Sequence, residues 1–199
     1  MTQQKVRMLE DRLLYEGWNT LRQLSLEYQH DSGVVQHLQR ELYVKSPGAG
    51  VLLYNEVNDT VVLVKQFRTP LFYLNEEPML VEVCAGLLDG EDPETAIKRE
   101  ILEETGYQVD HVDFVMKVFT SPGVVTEYLM LYTANIRDTQ RIARGGGLVE
   151  EGEEIELIEW PLSLCEEKLM AGEIQDAKTV ILLQNLLIKQ AKTRHLQKK

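Results

Sequence analysis

Glu100, Glu103 and Glu104 lie close together behind a loop that ends in a strong helix-start signal. Asp92-Pro93-Glu94 supplies an N-cap acceptor, a proline at the first helical position and an acid near the positive end of the helix dipole. Gly106 is the matching stop, so a helix is predicted over residues 93–105. At about 100° per residue the three glutamates share an arc of roughly 100°. Ile97 and Ile101 border that arc as core anchors, and Ala96 inside it is too small to obstruct anything. Three carboxylates on one face repel one another unless a cation joins them, and hard divalent ions such as Mg2+ or Mn2+ take oxygen ligands of this kind. Arg99 precedes Glu103 by one turn and can pair with it, keeping that carboxylate ionised. A single glutamate on a helix is ordinarily just solvated. Loop glycine, cap, Arg-Glu-x-x-Glu-Glu and terminal glycine in one register favour a metal-dependent site.

The elements that must carry this helix can be read on either side of it. Residues 6–14, 21–28 and 34–43 predict a three-stranded antiparallel meander with a turn at Asp31-Ser32-Gly33, filling an N-terminal domain over 1–45. It holds too few large apolar residues to bury both faces and should pack on something. Ser46-Pro47-Gly48-Ala49-Gly50 reads as the linker to a second domain, 46–199. There, 51–54 and 61–67 predict a hairpin around Asn58-Asp59, and 79–83 a strand leading to the helix loop. Strands follow at 114–119 and 128–134 around Ser121-Pro122-Gly123, then a polar, glycine-rich loop over 141–154 and a strand at 155–160. Helices close the chain at 163–171 and 176–193, the latter with a stripe of Val180, Ile181, Leu183, Leu187 and Ile188. Helices on both sides of a mixed sheet, an α/β class, is the expected architecture.

Composition narrows the function. A net charge of −11 over 199 residues argues against nucleic acid as a partner. It also sits badly with an anionic substrate unless metal ions supply local positive charge. No window approaches the ~18 apolar residues of a membrane span, and the polar start predicts no secretory leader. Cys84 and Cys165 have no metal-ligand spacing, as expected of a reducing cytoplasm. Asn58-Asp59-Thr60 matches a glycosylation sequon but reads as the hairpin turn. Gly145-Gly146-Gly147 suggests a phosphate-binding loop, yet no Lys-Ser/Thr follows it, which removes that reading.

The stretch CAGLLDGEDPETAIKREILEETGYQV, residues 84–109, resembles the Nudix box, the signature of hydrolases that cleave a nucleoside diphosphate linked to another group. The resemblance implies an α/β/α sandwich around a mixed sheet, here with an N-terminal antiparallel β extension. The box is one residue short: either Ala85 occupies the family's glycine position, or the loop has lost a residue and Asp92 replaces the first glutamate. A similarly shortened box marks the GDP-mannose branch of the family.

The resemblance implies catalytic roles for Arg99, Glu100, Glu103, Glu104 and Glu153. It implies a metal held by Glu100, Glu104, the Ala85 carbonyl and a loop glutamate, Glu153, with Glu151 and Glu154 as rivals. Substrate contacts are implied at Arg68, Glu82, Ala85, Gly86, Leu87, Glu104, Glu127, Gly152, Glu153 and Lys178. Arginine suits a diphosphate because its fork donates two parallel bonds. In this branch the N-terminal meander is exchanged between the subunits of a homodimer, which places Trp18, Gln39, Arg40 and Glu41 as nucleoside contacts. Trp18 reads equally well as core. The expected activity is Mg2+-dependent hydrolysis of a nucleotide sugar, with GDP-mannose preferred and ADP-ribose the alternative. A ligand sensor that has kept the fold without catalysis would lack part of Arg99 to Glu104, and all are present.

Overall fold

The computed structural model describes residues 5–148 and 154–196 and divides into two compact units. The first comprises Met1–Pro47 with Phe119–Tyr128. Its meander is β1 (Val6–Glu16), β2 (Thr20–Gln29) and β3 (Val35–Val44), paired antiparallel from Val6↔Tyr28 to Glu16↔Thr20 and from Thr20↔Val44 to Gln29↔Val35. The three strands lie within two residues of their predicted bounds. The 119–128 segment is bonded to the end of β3: Tyr43 N donates to Val124 O (2.8 Å) and Thr126 N to Tyr43 O (3.1 Å). Every residue of β1 is exposed.

The second unit, Gly48–Val118 with Leu129–Lys199, carries a seven-stranded mixed sheet. Its central path runs β10 (Glu156–Pro161), β5 (Thr60–Phe67), β4 (Gly48–Asn55), β9 (Tyr128–Asn135), β8 (Asp113–Phe119). β4 and β9 are parallel, while β4–β5 and β5–β10 are antiparallel. Asn55 Oδ1 accepts from Val57 N (3.1 Å) and Asn58 N (3.3 Å) to close the β4–β5 turn, where Asp59 takes φ 53°. β4 and β5 read as continuous apolar runs because both faces are covered. Val51, Leu53 and Val62 point to one core with Ala96, Ile97 and Ile101 of the box helix. Leu52, Val61 and Leu63 point to the other, with Leu162, Cys165, Leu182 and Leu183 of the last two helices, α3 (Leu162–Met170) and α4 (Ala177–Leu196).

Three differences from the sequence-based expectations matter for the site. Gly48-Ala49-Gly50 is not linker but the buried start of β4. A Cβ on Gly48 would lie 3.0 Å from Gly86 O and from Leu129 Cδ2, so glycine serves close strand approach here, not flexibility. Secondly, two short elements were not anticipated, the helix α1 (Thr69–Tyr73) and the strand β7 (Cys84–Leu87). Thirdly, the box helix α2 is α-helical only over Pro93–Glu100; Ile101–Thr105 forms a π-helical turn before Gly106, which is left-handed at φ 75°.

Candidate active site

The site is built where the sheet splits. β5 pairs with β4 only over Leu53–Asn55, and beyond that β7 takes its place against Gly48–Val51. β6 (Met79–Glu82) pairs with the far end of β5, Glu82 opposite Val64, so the chain crosses from one strand to the other between Glu82 and Cys84. Val83 N, at the crossing, donates to Thr179 Oγ1 at 2.8 Å. Side chains alternate along β7. Cys84 faces the box helix, Gly86 points at Glu100, and Ala85 between them lies with Gly50 beside the Lys178 stem.

Asp92 accepts from Thr95 N (3.1 Å) and starts α2 as expected. Glu91 instead reaches Arg99 Nε at 3.4 Å, so Asp92 is occupied by the cap and Glu91 supplies the carboxylate beside the arginine. Arg99 Nη1 also pairs with Glu103 (2.8 Å) and Glu100 (3.0 Å). Glu100 sits over Gly86 so closely that a Cβ there would lie 2.1 Å from its Cδ and Oε1. Glu104 is 1% exposed, and its Oε2 accepts from Ala85 N at 3.2 Å. Glu104 is thus turned onto β7. Burial pushes the Cys84 thiol well above its ordinary pKa, and the Glu104 charge and hydrogen bond and the Glu100 charge add to this. Cys84 therefore stays a neutral donor at the carboxylate.

A second, charge-balanced cluster adjoins this one. Glu82 is 2% exposed and receives both arms of the Arg68 fork, Nη2 to Oε2 at 2.9 Å, together with Lys178 Nζ. Lys178 also pairs with Asp176 Oδ1 at 3.0 Å, and Asp176 Oδ2 accepts from Thr179 N (3.0 Å) and Thr179 Oγ1 at the start of α4. Burial alone would raise the Glu82 carboxyl; Arg68 and Lys178 hold it below its ordinary value. Asp176 joins this cluster; its place two residues before Lys178 at a helix start was visible in the sequence, its contact with Lys178 was not.

Arg68, Glu82, Ala85, Gly86, Leu87, Arg99, Glu100, Glu103, Glu104 and Lys178 thus all belong to the second unit, along β5–β7 and the ends of α2 and α4. Trp18, Gln39, Arg40, Glu41 and Glu127 belong to the first. Trp18 is 92% exposed in the β1–β2 turn, which excludes a core role within the chain. Gln39, Arg40 and Glu41 are exposed on β3, with Arg40 Nη1 donating to Gln39 O at 2.8 Å. Glu127 accepts from Lys45 Nζ and from Thr120 Oγ1 (2.9 Å). Nothing in the local sequence marks Lys45 as its partner. Glu151, Gly152 and Glu153 lie outside the described residues, and Glu154 is exposed.

The donor set that the resemblance implies, two carboxylates and a main-chain carbonyl, is all oxygen and would suit a hard divalent cation. Among the described residues no three His, Cys, Asp or Glu side chains converge on one point. Glu100 from the end of α2, seated in the space left by Gly86, and Glu104 from the π-helical turn are the candidate carboxylates in this part of the chain. No helix among the described residues is long and apolar enough to cross a membrane.

Residues 44–162 match the NUDIX domain, and residues 5–43 match the GDP-mannose pyrophosphatase NudK N-terminal domain. A GDP-mannose pyrophosphatase of Cronobacter sakazakii is 43% identical over 185 residues, covering 92% of this chain and 96% of the relative. One from Salmonella typhimurium is 42% identical over 92% of this chain and 95% of the relative, and one from Klebsiella pneumoniae 43% over 91% of each. Among solved structures, a crystal structure of an ADP compounds hydrolase superposes with a TM-score of 0.71 at 21% identity, covering 98% of both chains, which shows the shared fold. With the box helix, the split sheet and relatives matched almost end to end, the chain belongs to the Nudix family of hydrolases.

Proposed function

We propose that the protein hydrolyses the pyrophosphate of a nucleoside diphosphate sugar, with GDP-mannose preferred and GMP and mannose 1-phosphate as products. The observation that carries this reading is the pairing of two clusters: the Glu100/Glu104 carboxylates against Ala85-Gly86, and the Arg68/Lys178 cations gathered at Glu82. One suits a hard cation and the other a diphosphate. The names of the relatives support the sugar nucleotide.

Held by Glu100, Glu104 and the Ala85 carbonyl, with Glu153 as a further carboxylate, Mg2+ or Mn2+ would supply Lewis-acid polarisation and a lower pKa for bound water. Arg68 and Lys178 are already gathered in place and need only exchange part of their contact with Glu82 for phosphate oxygens. The Arg68 fork fits a diphosphate by two parallel bonds. Arg99 pairs with Glu103, Glu100 and Glu91 and restrains the three carboxylates against their mutual repulsion. Phosphoryl transfer depends mainly on positioning and electrostatics, which is why neither Cys84 nor a serine is needed as nucleophile.

The protein is further read as a cytoplasmic homodimer. Met8, Leu9, Leu13, Leu14 and Tyr15 of β1 are all exposed, apolar surface that a second copy would cover. Trp18, Gln39, Arg40 and Glu41 would then serve the nucleoside, with Arg40 suited to the O6/N7 edge of guanine. Glu127 would face the sugar phosphate. A panel of nucleotide sugars with Mg2+, scored by released monophosphate, tests the reading. GDP-mannose should give the highest kcat/KM. Faster turnover of ADP-ribose would overturn the substrate assignment, and no turnover of any nucleotide sugar would overturn the activity.

A further inference from the structure

Gly145-Gly146-Gly147 plays no part in the proposed reaction, yet all three residues are left-handed, with φ 72°, 112° and 78°. The segment before and through them runs along the end of the box helix. Gln108 N donates to Gln140 O (2.9 Å), and Ile142 N and Ala143 N donate to Gly106 O (2.9 and 3.1 Å). Gly146 N then donates to Glu104 O at 2.8 Å and Gly147 N to Glu103 O at 3.2 Å. These are carbonyls that a helix end leaves without an internal partner. A Cβ on Gly145 would lie 2.5 Å from Glu104 O and 2.6 Å from Thr105 C, and one on Gly106 would lie 2.1 Å from Ala143 O. The approach is backbone against backbone, which no side-chain rotation can relieve. Beyond it, Gly146 O accepts from Ile155 N (3.1 Å), next to the start of β10 in the sheet.

We propose that Gly145-Gly146-Gly147 is a positioning element for the metal-ligand pair, holding the π-helical turn from which the Glu104 side chain projects. The inference rests on reading Glu100 and Glu104 as metal ligands. The turn at Ile101–Thr105 departs from α geometry directly after Glu100, so the spacing between the two carboxylates depends on how that turn is held. Two donated N–H groups hold it from the glycine run, and the bond from Ile155 ties that run to the sheet. Only glycine fits at 145, since both the conformation and the space exclude a side chain.

The test compares Gly145→Ala with Gly33→Ala. Gly33 is equally left-handed, at φ 84°, but a Cβ added there would meet nothing within 4 Å, and it lies in the β2–β3 turn. Mn2+ binding is followed by electron paramagnetic resonance without substrate, alongside kcat and KM. Gly145→Ala should weaken Mn2+ binding about 10–100-fold, as loss of an outer-shell contact typically does. Its kcat should fall with KM near wild type, whereas Gly33→Ala should bind Mn2+ normally. Wild-type Mn2+ affinity in Gly145→Ala would overturn the inference and leave the activity reading intact. A wild-type protein that takes up no Mn2+ would overturn both. A second measurement needs no variant: Mg2+ should slow hydrogen exchange at the Gly146 and Gly147 amides, and unchanged exchange there would overturn the coupling.

Discussion

Gly86→Ala should damage catalysis without damaging the fold. The added Cβ would sit 2.1 Å from both Cδ and Oε1 of Glu100 and 2.5 Å from its Cγ. Carbon atoms in contact prefer about 3.5–4.0 Å, so the carboxylate must retreat by more than about 1 Å. A misplacement of that size in a reacting constellation costs on the order of 10²-fold in rate. Stability should move little. Gly86 lies outside the left-handed region, the obstructing atoms are the end of a flexible side chain, and alanine in a strand is about 0.5–1 kcal/mol better than glycine. The assay is kcat and KM for GDP-mannose by monophosphate release, with Tm by scanning fluorimetry. Glu100→Asp adds a control, because one methylene fewer withdraws the carboxylate from the new methyl group. It should therefore cost less in the Gly86→Ala background than in wild type, a coupling readable by a double-mutant cycle. Wild-type kcat in Gly86→Ala, or simple additivity with Glu100→Asp, would refute the reasoning. So would a loss of several kcal/mol in stability.

Glu82→Gln should destabilise the protein by about 3 kcal/mol, the low end for breaking a buried pair because Arg68 keeps some access to water. Glu82 has a depressed pKa, so its contribution is present above the ordinary value of 4.5 and is lost as pH falls through the folded value. Denaturant unfolding should therefore show wild type and variant converging in acid; a gap that widens below pH 4.5 contradicts this. Glu100→Gln and Glu104→Gln should each lower kcat on the order of 10³-fold. Glu104→Gln should also lower Tm because its side chain is buried; near-wild-type turnover in both would remove the metal assignment. Chelation with EDTA should abolish activity and Mg2+ should restore it, and turnover in a metal-free preparation would rule out the mechanism. Deleting residues 1–45 should give a monomer in sedimentation with weakened nucleotide binding; a full-length protein that is already monomeric and fully active contradicts the dimer.

The residues of the box were legible because a helix has one period and its own punctuation. Asp92-Pro93 and Gly106 marked the ends, and the spacing of Glu100, Glu103 and Glu104 placed them on one face whatever the helix packs against. The meander was legible for a similar reason, since its strands are bounded by local turn signals. Apolar runs of four to eight residues located most of the sheet, and the covered faces of β4 and β5 followed from them. Pairing across the chain was not legible. Gly48-Ala49-Gly50 has the composition of a linker, and only the approach of Gly86 and Leu129 makes it a strand. Glu82 is far in sequence from Asp176 and Lys178, and its meeting with them and with Arg68 follows from the split between β4 and β5, which no local periodicity encodes. The π-helical turn and its tether to Gly146 and Gly147 were hidden for the same reason: they arise from backbone contacts between segments roughly forty residues apart. Local sequence determined which carboxylates and cations the protein carries, because helix period and capping act within a few residues. Tertiary structure decided which of them meet, because that depends on long-range strand pairing and on where the absence of a side chain lets one segment approach another.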